Sequence, residues 1–207
     1  MNRGLVFGVI AMAAIVVASN ILVQFLFNDW LTYGAFTYPF AFLVTDLTNR
    51  LYGVKSARKV VLAGFIIGIA CSFIGTQIIG EYGPIVTLRI AIGSGIAYLI
   101  AQLTDIFVFD KMRKGTWWHA PLVSTMIGSS LDTALFFSIA FAADLSFIDP
   151  ATDVSWAGIT VPILGLGPAA PLWISLALAD WFIKIILSLI ALLPFKLMIS
   201  RLTKAPA

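Results

Sequence analysis

Apolar residues in this chain run in long blocks instead of alternating or returning to one helical face. Stretches such as Gly4 to Asn28 and Val60 to Gly80 contain no charged residue. They match the roughly 20 residues that a helix needs to cross about 30 Å of hydrocarbon. Hydropathy and punctuation by Gly, Pro and Asn predict spans at 5–27, 33–50, 60–80, 86–109, 120–143 and 171–197. The fold class that follows is all-α, a polytopic membrane protein forming one integral membrane domain over 1–207 as a six-transmembrane-helix bundle. The first apolar run continues past any small-residue cleavage point, so it reads as a retained span and not a signal peptide.

Composition agrees: 60% of the 207 residues are hydrophobic and 11% charged, against about 25% charged in a soluble domain. Six spans leave no room for a soluble catalytic or nucleotide-binding domain. The net charge of +3 matters less than its distribution. Arg3, then Arg50, Lys55, Arg58 and Lys59, then Lys111, Arg113 and Lys114, and finally Lys196, Arg201 and Lys204 all fall on one side of the predicted map. The opposite loops hold Asp29, Glu81, Asp144, Asp149 and Asp153. The positive-inside rule therefore puts both termini in the cytoplasm. Basic residues used this way are topology determinants, so nucleic acid is not expected as a direct partner.

Between the fifth and sixth spans, residues 144–170 carry Asp149-Pro150, Pro162 and Gly165-Leu166-Gly167-Pro168, which oppose continuous helix. This is an external loop, and its apolar part from Val154 to Leu166 can either lie at the interface or dip into the external mouth as a lid. Trp117, Trp118 and His119 fit an interfacial aromatic belt. One Cys and one His exclude an intrachain disulfide and the multi-histidine metal sites. A membrane-embedded enzyme lacks its nucleophile-and-base or metal-ligand set, and no cofactor is expected. Small residues at Gly4 and Gly8, Gly64 and Gly68, and Gly93 and Gly95 let helices approach closely, within one chain, in a homo-oligomer or against a partner subunit.

The residues that lipid would not tolerate carry the functional signal: Asp46, Arg89, Asp105, Asp132, Asp180 and Lys184 all lie within predicted spans. At about 3 kcal/mol each, six such groups facing lipid would cost on the order of 15–20 kcal/mol, so they face a protein interior or a wet cavity. A rise of about 1.5 Å per residue puts Asp132 about 18 Å from the cytoplasmic end of its helix, with Lys184 at similar depth. Asp180 and Lys184 are spaced i, i+4 and either neutralise each other or open to engage a ligand. Thr125, Ser129 and Asp132 share a helix face, and Asp132 is the central candidate. Tyr98, Gln102 and Asp105 make a second polar line. Thr45, Asp46 and Asn49 cluster on the second span, where Asp46 is spaced to pair with Arg50. Arg89 either snorkels to external headgroups or presents its guanidinium inward. Carboxylates, amides and a cation among aromatic walls suit a planar heterocycle with several donors and acceptors.

The stretch Tyr38-Pro-Phe-Ala-Phe-Leu-Val-Thr-Asp-Leu-Thr-Asn-Arg-Leu-Tyr-Gly53 with Lys55-Ser-Ala-Arg-Lys59 resembles the signature of the queuosine precursor transporters, also called a vitamin uptake transporter family. Arg89, Ala101-Gln-Leu-Thr-Asp105, Phe109, Ser129-Ser-Leu-Asp132 and the pair Asp180 and Lys184 resemble its other marked segments. Arg50 stands where an acidic residue often follows Asn in that signature. The resemblance implies uptake of 7-cyano- and 7-aminomethyl-7-deazaguanine across a bacterial inner membrane for tRNA queuosine salvage. As substrate-binding residues it supports Asp46, Asn49, Arg89, Gln102, Asp105, Asp132, Asp180 and Lys184. A carboxylate such as Asp132 would accept from N1–H and the 2-amino group, and Arg89 or Lys184 would donate to the 6-oxo group. In size and span number the family also resembles the substrate-binding subunits of energy-coupling-factor transporters. Such subunits use a separate energising ATPase complex, whereas this family is thought to act alone. The alternative is a transporter or binding subunit for another vitamin or nucleobase.

Overall fold

The computed structural model describes residues 3–81 and 83–202. Five long helices are α1 (Arg3–Leu22), α4 (Val54–Gln77), α5 (Leu88–Met112), α6 (His119–Phe141) and α7 (Leu172–Leu202). Each is long and apolar enough to cross a membrane. Between α1 and α4 lie two shorter helices, α2 (Gly34–Thr37) and α3 (Phe40–Tyr52). The sequence predicts one uninterrupted span over 33–50, and the break has a local cause in Pro39. Proline lacks the N–H that an α-helical turn requires, and the chain tightens there, with Ala41 N donating to the Tyr38 carbonyl and Phe42 N to that of Pro39. Tyr38 and Pro39 keep right-handed helical dihedrals. The two pieces therefore run antiparallel beside α1: Gly34 packs on the Val23 backbone at one end and Tyr52 on Gly4 at the other.

Other boundaries shift by a few residues. The first helix stops at Leu22 instead of 27 because the chain turns, with the Asn28 carboxamide accepting from the N–H groups of Trp30 and Leu31 at 2.9 and 2.8 Å. α4 starts at Val54 instead of 60 and takes Lys55, Arg58 and Lys59 into its first turns. It follows α3 after a single residue, Gly53, whose φ of +80° only glycine adopts without strain. α7 continues to Leu202 through Pro194.

The cores explain how polar groups are held inside. Met12 and Val16 of α1 pack on Val60 and Val61 of α4 and on Tyr98 of α5. A Cβ at Gly64 would come within 2.2 Å of the Tyr98 hydroxyl, so these helices meet closely only because position 64 is glycine. At the basic end, Leu47, Phe109, Ala120 and Phe195 form a second cluster, with the Phe109 and Phe195 rings edge to face at 6.2 Å. Among the described residues, the basic residues other than Arg89 and Lys184 gather at this end, and Lys204 lies outside the described residues. Arg50 donates to the Arg113 carbonyl at 2.6 Å, Arg113 returns bonds to the carbonyls of Asn49 and Arg50, and Lys196 lies over the Trp117 ring.

At the opposite end, β1 (Ile79–Gly80) pairs with β2 (Gly83–Pro84), and β3 (Thr160–Pro162) with β4 (Ala169–Pro171), both antiparallel. The loop before α7 is anchored near its middle, where Val154 and Ala157 are buried and Trp156 meets Phe141 edge to face, while Phe147 and Leu166 stand exposed. The Asp153 carboxylate accepts from Ser155 N at 2.8 Å, which holds its pKa below the usual carboxylate range.

Candidate functional site

A helix that carries an acid or an amine through a bilayer must turn it toward other helices. The structure does this on two levels. The upper level joins α2–α3, α6 and α7. Lys184 donates to Asp132 Oδ2 at 2.6 Å, pairs with Asp180 Oδ2 at 2.5 Å, and donates to the Thr133 hydroxyl at 3.1 Å. Thr133 in turn donates to Asp180 Oδ2 at 2.8 Å. The Tyr38 hydroxyl donates to the other Asp132 oxygen at 3.2 Å, and its ring lies 5.5 Å from the ammonium. Asp132 and Lys184 are each 4% exposed, so their charges compensate each other inside protein. Two carboxylates answer one ammonium, and the cluster carries an excess of acid. The i, i+4 pair on α7 is thus half of a larger arrangement, completed by an acid 52 positions away in sequence.

The lower level lies nearer the basic end, between α3, α5 and α6. Asp46 accepts from Ser124 at 3.3 Å and from Thr125 at 3.2 Å, and Asp105 lies near enough for the two carboxyls to interact. Thr45 donates to Gln102 Oε1 at 2.6 Å and Asn49 Nδ2 to the Ile106 carbonyl at 3.1 Å, two cross-links between α3 and α5. Asn49 Oδ1, Gln102 Nε2, Ser129 Oγ and both Asp105 oxygens are buried without a hydrogen-bond partner. Position 128 is glycine where α6 crosses this level: a Cβ there would stand 2.7 Å from the Phe42 ring and 3.4 Å from Asp105 Cβ. The expected stripe of Thr125, Ser129 and Asp132 is buried on one face of α6 and links the two levels.

One expectation is corrected: Asp46 does not pair with Arg50, because that guanidinium reaches across to the end of α5. Of the two alternatives for Arg89, the structure shows the inward one: the side chain is buried, its Nε donates to the Ile139 carbonyl at 3.0 Å and its Nη2 to that of Ala142 at 2.7 Å, and its Nη1 is buried without a partner. Arg89 closes the C-terminal end of α6, where unpaired carbonyls and the helix dipole favour a cation. Tyr38, Thr133 and Ser124 were not singled out from sequence as candidates. Tyr38 could have been found as the hydroxyl beside the one proline of its span, and Thr133 as the neighbour of Asp132.

Beside Asp46 lies a cavity of about 10 Å³, lined also by Thr125, Ser188 and Phe195. That is room for about one water.

Comparison with known proteins agrees with this architecture. Residues 32–199 match the family described as "Putative vitamin uptake transporter". A Haemophilus influenzae protein named "Probable queuosine precursor transporter" is 36% identical over 169 residues, 69% of this chain and 71% of the relative. The "Queuosine precursor transporter" of Escherichia coli is 31% identical over 195 residues, 87% of this chain and 79% of the relative. A Bacillus subtilis relative with the same name as the Haemophilus protein is 25% identical, over 81% of this chain and 71% of the relative. No solved structure matches the chain. A buried polar axis in an all-helical membrane protein, read together with these matches, places the chain in the queuosine precursor transporter family.

Proposed function

We propose that this chain imports queuosine precursors, 7-cyano- and 7-aminomethyl-7-deazaguanine, across a bacterial inner membrane, and that the base binds at Asp132 and Lys184. The observation that carries the reading is the upper cluster, an acid-rich group with its own ammonium and an aromatic hydroxyl, about 20 Å along α6 from the basic end. The names of the Haemophilus influenzae and Escherichia coli relatives support the substrate class. In orientation, the basic end faces the cytoplasm, and α2 with α3 completes a sixth crossing that leaves both termini there. The chain acts as a transporter and not as an enzyme.

Chemistry complements geometry in this assignment. A 7-deazaguanine presents N1–H beside a 2-amino group, a pair of donors that a carboxylate accepts with both oxygens. Asp132 has two oxygens held by exchangeable partners, Tyr38 and Lys184. When the base takes those oxygens, the ammonium is free to donate to the 6-oxo group and keeps Asp180 as counter-ion. Lys184 takes this role in preference to Arg89, which is committed to the end of α6. The Tyr38 and Tyr98 rings, 6.3 Å apart, provide faces against which the heterocycle can stack. With Asp132 and Lys184 buried, the base enters when helices part. Tyr38 sits beside Pro39, so movement of α2 against α3 withdraws its hydroxyl from Asp132.

The test is uptake in cells unable to synthesise 7-cyano-7-deazaguanine. Cells expressing the chain accumulate the labelled compound, and cells with an empty vector do not. Equal accumulation with and without a correctly inserted chain would overturn the reading.

A further inference from the structure

The lower level holds two acids and no cation. Asp46 and Asp105 are 2% and 0% exposed, and the Thr45–Gln102 and Asn49–Ile106 cross-links set them side by side, near enough for their charges to interact. Ser124 and Thr125 donate to Asp46 and stand near Asp105 as well, but neither Asp105 oxygen accepts a hydrogen bond of good geometry. The charged and titratable groups of the surrounding elements are engaged elsewhere. On α3, Arg50 reaches the Arg113 carbonyl. On α5, Arg113 holds Asp110 and two α3 carbonyls, Lys111 lies over Phe107, Tyr98 donates to the Val61 carbonyl, and Arg89 is about 24 Å away along the helix. On α6, His119 packs edge-on against Trp118 at the helix start. On α7, Lys184 is held by Asp132 and Asp180, and Lys196 lies over Trp117. Lys55, Arg58 and Lys59 occupy the first turns of α4 at the basic end. Among the described residues no ion pair reaches Asp46 or Asp105.

Two carboxylates side by side, away from water and without a counter-ion, repel each other strongly in a low-dielectric interior, and one proton removes the repulsion. The same proton supplies the donor that Asp105 lacks. Like-charged pairs of this kind titrate as a unit. We infer that Asp46 and Asp105 together bind one exchangeable proton, and that this proton is the coupling ion for transport, at a site separate from the one that holds the base. The inference rests on the reading of the chain as a 7-deazaguanine importer.

Position supports the role. The pair lies about 10 Å from the basic ends of α3 and α5 and about 10 Å below Asp132 on the α6 stripe. Ser129, whose hydroxyl is unpartnered, stands between the two levels on that stripe. Motion of α6 that opens the base site therefore changes the surroundings of the proton site. Beneath the pair, Phe109 and Phe195 close the path to the basic end. The 10 Å³ cavity beside Asp46 has room for about one water to relay the proton. In each cycle one proton is taken up from the external side with the base and released to the cytoplasmic side. No covalent bond in the base or the protein changes.

Two measurements on the purified full chain test this. The first is independent of the base: an infrared spectrum at neutral pH, in which a protonated buried carboxyl gives a C=O band that a carboxylate lacks. The band is expected in the wild type and lost in Asp46→Asn/Asp105→Asn, and its absence from the folded wild type would overturn the proposal. The second uses proteoliposomes and labelled 7-cyano-7-deazaguanine. A pH gradient, acid outside, drives accumulation above equilibrium in the wild type. In Asp105→Asn, where the amide takes the place of the protonated acid, that accumulation is lost while gradient-free exchange across the membrane continues. Unchanged accumulation in a folded Asp105→Asn, or accumulation driven by a sodium gradient alone, would overturn the coupling. Failure of wild-type exchange would count against the importer reading, and the infrared band would still decide whether the pair holds a proton.

Discussion

Lys184 offers the sharpest perturbation, because one ammonium balances two buried acids. Replacing it by Met keeps the stem's volume and removes the charge, together with contacts at 2.6 Å to Asp132, 2.5 Å to Asp180 and 3.1 Å to Thr133. Removing one partner of a buried ion pair costs about 3–5 kcal/mol, chiefly because the remaining charge stays buried without compensation. For a chain of this length a kcal/mol corresponds to about 2–4 °C, so Lys184→Met lowers the unfolding midpoint by about 6–20 °C. The acids carry that penalty, and neutralising them should relieve it. Lys184→Met/Asp132→Asn/Asp180→Asn should recover about half of the loss or more, since an uncharged replacement of a buried ionic group is often neutral in stability. The assay is thermal unfolding of the three proteins in one detergent, followed by intrinsic fluorescence. A midpoint for Lys184→Met within about 2 °C of the wild type, or a triple variant less stable than the single one, would refute the reasoning.

Four other outcomes follow from the same geometry. Gly64→Val forces a branched side chain against Tyr98 and Met12, where even a Cβ would stand 2.2 and 2.6 Å from their atoms. It should lower stability by about 1–3 kcal/mol or more, measured by unfolding in detergent. Arg89→Gln loses two charge-assisted bonds to the end of α6 and should cost about 2–3 kcal/mol by the same assay, with little change in affinity for the base. Tyr38→Phe removes one donor to Asp132 and should change binding of 7-cyano-7-deazaguanine by at most about tenfold in equilibrium titration. At Asp153 the folded-state pKa lies below the usual value, so its contribution to the loop is full above the ordinary carboxylate range and fades as pH falls through the lowered value. Hydrogen exchange at Ser155 should therefore quicken in Asp153→Ala at neutral pH, and the wild type should approach the variant in acid.

The helical class and five long spans were legible because crossing hydrocarbon demands uninterrupted apolar length, a constraint that any window of the sequence displays. The second span was less so: Pro39 divides it, and hydropathy does not register a missing N–H. A shared level was legible too, since rise per residue alone puts Asp132 and Lys184 at similar distances along their helices, and the two side chains meet. Partnership was not. Spacing on one helix suggested Asp180 with Lys184 and Asp46 with Arg50, and only the first is present. Arg50 is drawn off by the unpaired carbonyl at the end of α5, a group that belongs to another helix and leaves no trace near position 50. The contact of Asp132 with Lys184 and the approach of Asp46 to Asp105 join residues 52 and 59 positions apart, and they depend on how α3, α5, α6 and α7 are rotated in the bundle. Arg89 illustrates the same limit. A lone cation inside a span reads equally as a snorkelling group or an inward donor, and the choice is made by the carbonyls of α6, which the sequence around position 89 does not display.

In the proposed account, a two-level polar axis divides the work of transport. The upper level can hold a base without leaving a charge alone, because Lys184 retains Asp180 when Asp132 turns to the ligand. The lower level has no such reserve. Its acids must change protonation, or they remain a cost to every state in which they are buried.

The central claim is that the base binds at Asp132, and equilibrium binding tests it most directly. Labelled 7-cyano-7-deazaguanine would be titrated into purified wild type, Asp132→Asn and Arg89→Gln in one detergent, each verified as folded. Saturable binding by the wild type and Arg89→Gln, with a loss of about tenfold or more in Asp132→Asn, is the predicted result. Undiminished binding by a folded Asp132→Asn would contradict the account and move the ligand away from the upper cluster.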